Sequence, residues 1–314
     1  SNTGPAAVLT PVVCGIAVES GDSRGRLLIP VVFAAALGGS LSFIGAPGNL
    51  MGVNALQEMG LSTSFFMYAP VGVPMLVLGI LYFVFIGYRF LPNGNHAAGE
   101  ALEDQQDFSH VPKWKQMVSL VVLILVILAM IFEKEIGISI EVSACIGAIV
   151  LVLTGVISEK EALKSIDLKV VFLFGGSLTL AKALDTTGAG ELIADKIVGL
   201  LGADPSPILL LLVIFIVTCV LTNFMSNTAT TALMIPIAVS LANNLGADPR
   251  AVVIATVIAG SCAYATPIGM PANTMVVGLG GYKFKDYVKS GLPLILVSFV
   301  ICMILLPILF PFYP

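Results

Sequence analysis

Apolar residues in this chain fall in long unbroken runs, and polar residues gather in short clusters between them. Residues 117–132 and 292–310 are free of charge, and such runs recur near the length of about 20 residues that one hydrocarbon crossing needs. Strict alternation, the mark of an outer-membrane barrel strand, is absent. The pattern predicts helices over 27–43 and 50–58 with an interruption at 45–49, then a span over 68–91 and a polar loop over 92–113. Spans follow over 117–132, 138–157 and 168–184, then a surface-lying amphipathic segment over 190–201. The last predicted pieces are helices over 207–223 and 229–241, one over 251–265 that breaks at 266–273, and a final span over 292–310. Trp114, Tyr282 and Tyr287 flank these runs in the manner of interfacial anchors.

Composition agrees with the pattern. Hydrophobic residues make up 57% of the chain and charged residues 11%, against about 45–50% and about 25% in soluble domains. An all-α integral membrane protein is therefore expected. The net charge of −4 carries little information, because topology follows Lys and Arg placement. The five cysteines, Cys14, Cys145, Cys219, Cys262 and Cys302, lie in or beside apolar runs without metal-ligand spacing and read as small hydrophobes. His96 and His110 fall in the polar loop and read as solvated; Lys182 and Asp185 read as a surface pair near one span end.

Self-comparison exposes a duplication. Ser1-Asn2-Thr3 recurs as Ser226-Asn227-Thr228, and a proline follows each Ser after ten residues, at Pro11 and Pro236. Gly39-Ser40 matches Gly260-Ser261, and Ile44-Gly45-Ala46-Pro47-Gly48-Asn49 matches Ile268-Gly269-Met270-Pro271-Ala272-Asn273. Gly72-Val73-Pro74 matches Gly291-Leu292-Pro293, so the order is kept while the offset drifts from 225 to 219. Residues 1–113 are thus expected to form a truncated first repeat and 114–314 a complete second one, with a re-entrant hairpin around 207–243 and a broken helix over 251–278. The second copy runs about 110 residues before its triplet, and the first is expected to lack that part.

Charge placement supplies orientation. With the loop at 19–26 cytoplasmic, eleven Lys and Arg fall inside and three outside, provided that the two arms around the second triplet enter and leave on the outer side. The two repeats are then inverted, as in many secondary transporters. Irregular backbone at membrane depth belongs where it is buried in protein or lines a cavity. Ser, Asn and Thr are strong N-cap residues, so each triplet can start a helix whose free N–H groups attract an anion. The preceding arm ends in carbonyls suited to a cation, and Thr222 lies four residues before Ser226, within reach of the same cation site. The Gly–Pro breaks are expected to free further carbonyls. No Arg, Lys or His stands in either triplet or break, so an anion there needs helix ends and bound cations to offset its charge.

Paired Ser-Asn-Thr motifs, each followed by a Gly-x-Pro-x-Asn break, make the chain similar to the divalent anion:sodium symporters, the dicarboxylate, citrate and sulfate carriers. The resemblance covers essentially the whole chain as the C-terminal two-thirds of a member. It implies opposed re-entrant hairpins, an ion-transporter fold with a dimerising scaffold and an elevator-like transport part, and sodium as coupling ion with no other cofactor. It places Ser1, Asn2, Gly45 and Asn49 at a first sodium site, and Thr222, Ser226, Asn227, Gly269 and Asn273 at a second. Asn2, Thr3, Ala46, Pro47, Asn227, Thr228, Met270 and Pro271 border the anion. Dicarboxylate members commonly carry Thr or Ser where Ala46 and Met270 stand, and Gly280-Gly281-Tyr282-Lys283-Phe284 resembles sulfate-type members, so the anion stays open among dicarboxylate, citrate and sulfate. The implied setting is a multi-pass homodimer in the cytoplasmic membrane without nucleic-acid partners. Proton-coupled or exchange-type relatives favour carboxylates in the site, and passive half-helix pores carry Asn-Pro-Ala tips; neither feature occurs in these motifs. No nucleophile–base pair suggests an enzyme.

Overall fold

The computed structural model describes residues 3–92, 111–166 and 206–313, with isolated positions between 168 and 196. The polar-loop histidines, Lys182, Asp185, Ser1, Asn2 and most of the predicted 168–184 and 190–201 segments lie outside the described residues. Among the described residues all regular structure is helical, as the hydrophobic pattern predicts. Helices α1 (Thr3–Ser20), α2 (Arg24–Gly39), α3 (Pro47–Glu58) and α4 (Ala69–Phe85) come first, and a 3₁₀ turn, Gly87–Phe90, follows. Next are α5 (Lys113–Ile131), α6 (Ile140–Leu153) and α7 (Glu159–Lys164). The chain continues with α8 (Pro207–Thr222), α9 (Asn227–Asn244), α10 (Arg250–Ser261), α11 (Pro271–Gly280) and α12 (Phe284–Leu309). Three of these, α1, α5 and α12, are long and apolar enough to cross a membrane, and α4, α6, α8 and α10 are shorter apolar helices.

Two compact units emerge, residues 101–171 on the one hand and 1–100 with 172–314 on the other. In the smaller unit α5 packs against α6, and Gly147 lets the two approach, since a Cβ there would meet the Val126 side chain at 2.3 Å. A capping box closes α7: Ser158 Oγ accepts from the Glu161 N–H, and the Glu161 carboxylate accepts from the Ser158 N–H at 2.8 Å.

In the larger unit the packing pairs map onto themselves when one repeat is exchanged for the other. Helix α1 lies on α2 as α9 lies on α10; α1 lies on α11 as α9 lies on α3. Likewise α2 meets α11 as α10 meets α3, and α2 meets α4 as α10 meets α12, while α4 and α12 meet each other. Each repeat therefore completes the other, and α8, the inner hairpin arm, adds contacts to α9, α10 and α12. The packing of the larger unit thus repeats itself along the duplication seen in the sequence. The matched glycines are explained by close approach: a Cβ at Gly72 would lie 2.2 Å from the Ser40 carbonyl oxygen, and one at Gly291 2.2 Å from that of Tyr264.

Two details differ from the pattern-based expectation. The prolines do not sit inside the interruptions; Pro47 and Pro271 are the first residues of α3 and α11, and the irregular stretches are 40–46 and 262–270. Proline suits a helix's first turn because its missing N–H has no partner to lose there. Tyr282 and Tyr287 are buried rather than interfacial, whereas Trp114 is half exposed. The Tyr282 hydroxyl inserts into the ladder of α2, accepting from the Ile29 N–H at 3.0 Å and donating to the Gly25 carbonyl at 2.9 Å. The inserted side chain ties the α11–α12 turn to α2. All five cysteines are free; four are buried and Cys145 is exposed.

Candidate functional site

Helix α8 stops at Thr222, three turn residues follow, and Ser226 restarts the chain as the N-cap of α9, its Oγ accepting from the Ala229 N–H at 3.3 Å. This is the second hairpin tip. Thr222 Oγ1 donates to the Gly260 carbonyl at 2.5 Å. One terminal atom of the Asn227 amide lies 2.9 Å from Thr222 Oγ1, 3.3 Å from Gly260 O and 3.2 Å from Gly269 O. With its nitrogen turned inward the amide donates to these oxygens; with its oxygen inward, four neutral oxygens converge, as around a hard cation. Hairpin tip, α10 and the second break each contribute to this cluster. Gly269 is close-packed, since a Cβ on it would meet the Ala263 side chain at 2.7 Å and Thr222 O at 3.0 Å.

Both breaks are pinned in the same way. The Asn273 amide nitrogen donates to the carbonyls of Ala263 at 2.7 Å and Thr266 at 2.8 Å. The Asn49 amide nitrogen donates to Gly39 and Ser42, both at 2.7 Å. Tyr287 and Tyr68 then donate their hydroxyls to the backbone carbonyls of Asn273 and Asn49, at 2.8 Å and 2.7 Å. These bonds set the register of the repeat: Gly39 corresponds to Ala263, not to Gly260 as the Gly-Ser match predicts. Asn49 Oδ1 and Asn273 Oδ1 are buried without a hydrogen-bond partner, so each amide holds its break with its nitrogen and leaves an acceptor spare.

The early turns of the motif helices come together. A Cβ on Gly48 would lie 2.9 Å from Thr231 Oγ1, and one on Gly260 2.4 Å from it, so α9 is wedged against α3 and α10 at that level. By the exchange of repeats, α1, which opens at Thr3, lies on α11. Ala46 and Met270 precede Pro47 and Pro271 in extended backbone, Ala46 half-buried and Met270 buried. Asn227 and Thr228 are half-buried and Ser226 is exposed at the tip. Free N–H groups at such helix starts favour anions. Among the described residues no three His, Cys, Asp or Glu side chains gather as a metal centre. Gly260, Thr266, Tyr68 and Tyr287 were missed as site residues, although Tyr68 and Tyr287 share the offset of the Gly-x-Pro match.

Comparison with known proteins gives a match to the citrate transporter family over residues 1–256 and 127–313. A Haemophilus influenzae protein described as an uncharacterized transporter is 29% identical, over 96% of this chain and 67% of the relative. The sodium-dependent dicarboxylate transporter SdcS of Staphylococcus aureus (strain USA300) is 26% identical, over 99% of this chain and 66% of its own length. Among solved structures, the Alcanivorax borkumensis YdaH transporter, described as having an unusual topology, shares the fold with a TM-score of 0.67 and 18% identity, covering 97% of this chain and 73% of that one.

Proposed function

Because the chain belongs to the citrate transporter family, we propose that it forms the greater part of a sodium-coupled symporter for small divalent anions, working by elevator-like alternating access in the cytoplasmic membrane. It is a membrane transport protein and not an enzyme. It spans about two thirds of the length of the curated relatives it matches. The observation that carries the reading is the meeting of Thr222 Oγ1, Gly260 O and Gly269 O around the Asn227 amide. That cluster is uncharged, which suits a monovalent hard cation better than a divalent one. In this reading sodium turns the amide oxygen inward, with Ser226 at the tip and Asn273 supporting the second break; Gly45 and Asn49 serve with Ser1 and Asn2 at the first site.

The anion lies where the motif helices begin, against Asn2, Thr3, Ala46, Pro47, Asn227, Thr228, Met270 and Pro271. With no fixed positive charge in these segments, helix ends alone are weak compensation for two negative charges, and bound sodium supplies the rest. Binding of the two is then mutually favourable, which is the physical content of coupling. A dicarboxylate, citrate or sulfate each satisfies this requirement. SdcS is described as sodium-dependent and as acting on dicarboxylates, which supports the coupling ion. A homodimer completes the proposal.

The test is uptake of labelled succinate, citrate and sulfate into proteoliposomes holding the natural protein, with and without an inward sodium gradient. Sodium-driven accumulation of one of them is expected. Uptake of all three that ignores sodium but follows a proton gradient would move the assignment to a proton-coupled exchanger.

A further inference from the structure

The second hairpin tip and the second break grip each other reciprocally, through two side chains that the proposed ligand set does not contain. Asn223, nearly buried, reaches from the tip into the break: its amide nitrogen donates to the carbonyls of Cys219 at 2.7 Å and Cys262 at 3.3 Å, and its Oδ1 accepts from the Ala265 N–H at 2.9 Å. Thr266, 3% exposed, reaches the other way. Its Oγ1 donates to the Asn223 carbonyl at 2.5 Å and accepts from the Gly269 N–H at 3.1 Å. One hydroxyl therefore joins the residue that follows Thr222 to the residue whose carbonyl faces Asn227.

We propose that Thr266 is a positioning residue for the second sodium site, its hydroxyl fixing the Gly269 carbonyl relative to Thr222 and Asn227; the inference rests on the sodium reading given above. The geometry leaves the hydroxyl no slack. Its single hydrogen is committed to the Asn223 carbonyl, and a lone pair is committed to Gly269. The Thr266 carbonyl is taken as well, by the Asn273 amide. The side chain and carbonyl of this residue thus serve tip and break, and the hydroxyl has no hydrogen left to give an anion. Replacing the hydroxyl by a methyl group strands a buried carbonyl and a buried N–H together, and the cheapest relief is for Gly269 to swing away from the tip. That motion widens the cation cluster without removing any of its oxygens.

At the matching position of the first break the side chain does not hold the glycine N–H. There the Gly45 N–H donates to the backbone carbonyl of Ser42 at 3.2 Å, not to its side chain. The side-chain bond to the glycine N–H is accordingly found at the second break and not at the first.

The experiment compares Thr266→Val, Thr266→Ser and the wild type in the natural protein, reading anion uptake in proteoliposomes as a function of sodium concentration. Ser119→Ala serves as a control, because that hydroxyl lies on α5 and donates within its own helix, to Lys115 O at 2.9 Å. Thr266→Val should raise the half-saturating sodium concentration about five- to tenfold, with the maximal rate at saturating sodium within about twofold of wild type. Thr266→Ser should restore the wild-type sodium dependence, and Ser119→Ala should leave it unchanged. If Thr266→Val does not yield folded protein, Thr266→Ala in the same titration carries the same expectation. A sodium curve unmoved in folded Thr266→Val, or a fall in maximal rate alone, overturns the positioning role while leaving the symporter reading intact. A wild type indifferent to sodium overturns both.

Discussion

The two breaks are built on one frame and finished differently. In each, an asparagine on the first turn of the following helix pins two carbonyls of the irregular stretch, and a tyrosine from the next helix pins the asparagine's own carbonyl. In each, a glycine of that next helix presses against a backbone carbonyl at the start of the irregular stretch, Ser40 or Tyr264. These shared parts keep an unwound segment in place inside apolar surroundings, where each unpaired backbone group is expensive. The differing parts are Ser42 against Thr266 and Ala46 against Met270. The comparison teaches that the frame follows from the demands of a broken helix in lipid, whereas individuality between the sites rests on a few side chains hung from it.

Breaking the frame should have the largest effect, and a similar effect in either repeat. Gly291→Ala and Gly72→Ala each place a Cβ 2.2 Å from a backbone carbonyl oxygen that cannot rotate away. A cost of about 3 kcal/mol or more is expected for each, read as a fall in melting temperature and in monodisperse yield. Next comes Asn273→Ala, which leaves the buried carbonyls of Ala263 and Thr266 without donors, at about 2–3 kcal/mol. Asn49→Ala leaves only the part-buried Gly39 carbonyl without one, because Ser42 keeps the Gly45 N–H, at about 1–2 kcal/mol. Both are read in thermal or denaturant unfolding. Tyr287→Phe and Tyr68→Phe each delete one buried hydrogen bond while keeping the ring, and about 1 kcal/mol is expected in the same unfolding assay. A several-fold inequality between members of any of these pairs would break the idea of a shared frame.

The smallest effect should come from outside both breaks, at the α9–α10 connection. Burial raises the Asp248 carboxyl, but hydrogen bonds and charge from Arg250 outweigh that and hold it below its ordinary value. A carboxyl depressed in the folded state contributes stability above its unfolded pKa of about 3.9 and loses it as pH falls through the lower folded value. Asp248→Asn should therefore cost under about 1 kcal/mol at neutral pH. Melting curves of mutant and wild type should converge as pH falls through that lower folded value.

Much of this was legible in the chain because membrane burial and helix breaking leave strong marks. Long apolar runs announced the helices, and Gly, Pro and Asn at repeated spacing announced the duplicated breaks. What was not legible is informative. The Gly-Ser match at 39 and 260 put the register three residues out, because glycine recurs for unrelated reasons: Gly260 makes room for Thr231, whereas the position matching Gly39 is Ala263, which serves through its carbonyl. The prolines were read as interruptions, although sequence alone cannot tell a kink from a first turn. Tyr282 and Tyr287 looked like interfacial anchors because aromatic residues near the end of an apolar run serve either purpose; only the partners, α2 for one and Asn273 for the other, decide. Thr266 was invisible since its role depends on a tip 43 residues away.

The most direct test of the central claim, that the Asn227 cluster binds sodium, is a sodium titration of the melting temperature with wild type beside Asn227→Ala, choline serving as the ionic-strength control. Sodium, but not choline, should raise the wild-type melting temperature in a saturable way, and the mutant should lose a large part of that rise. A wild type that responds equally to choline, or a mutant that keeps the full sodium response, would contradict the account.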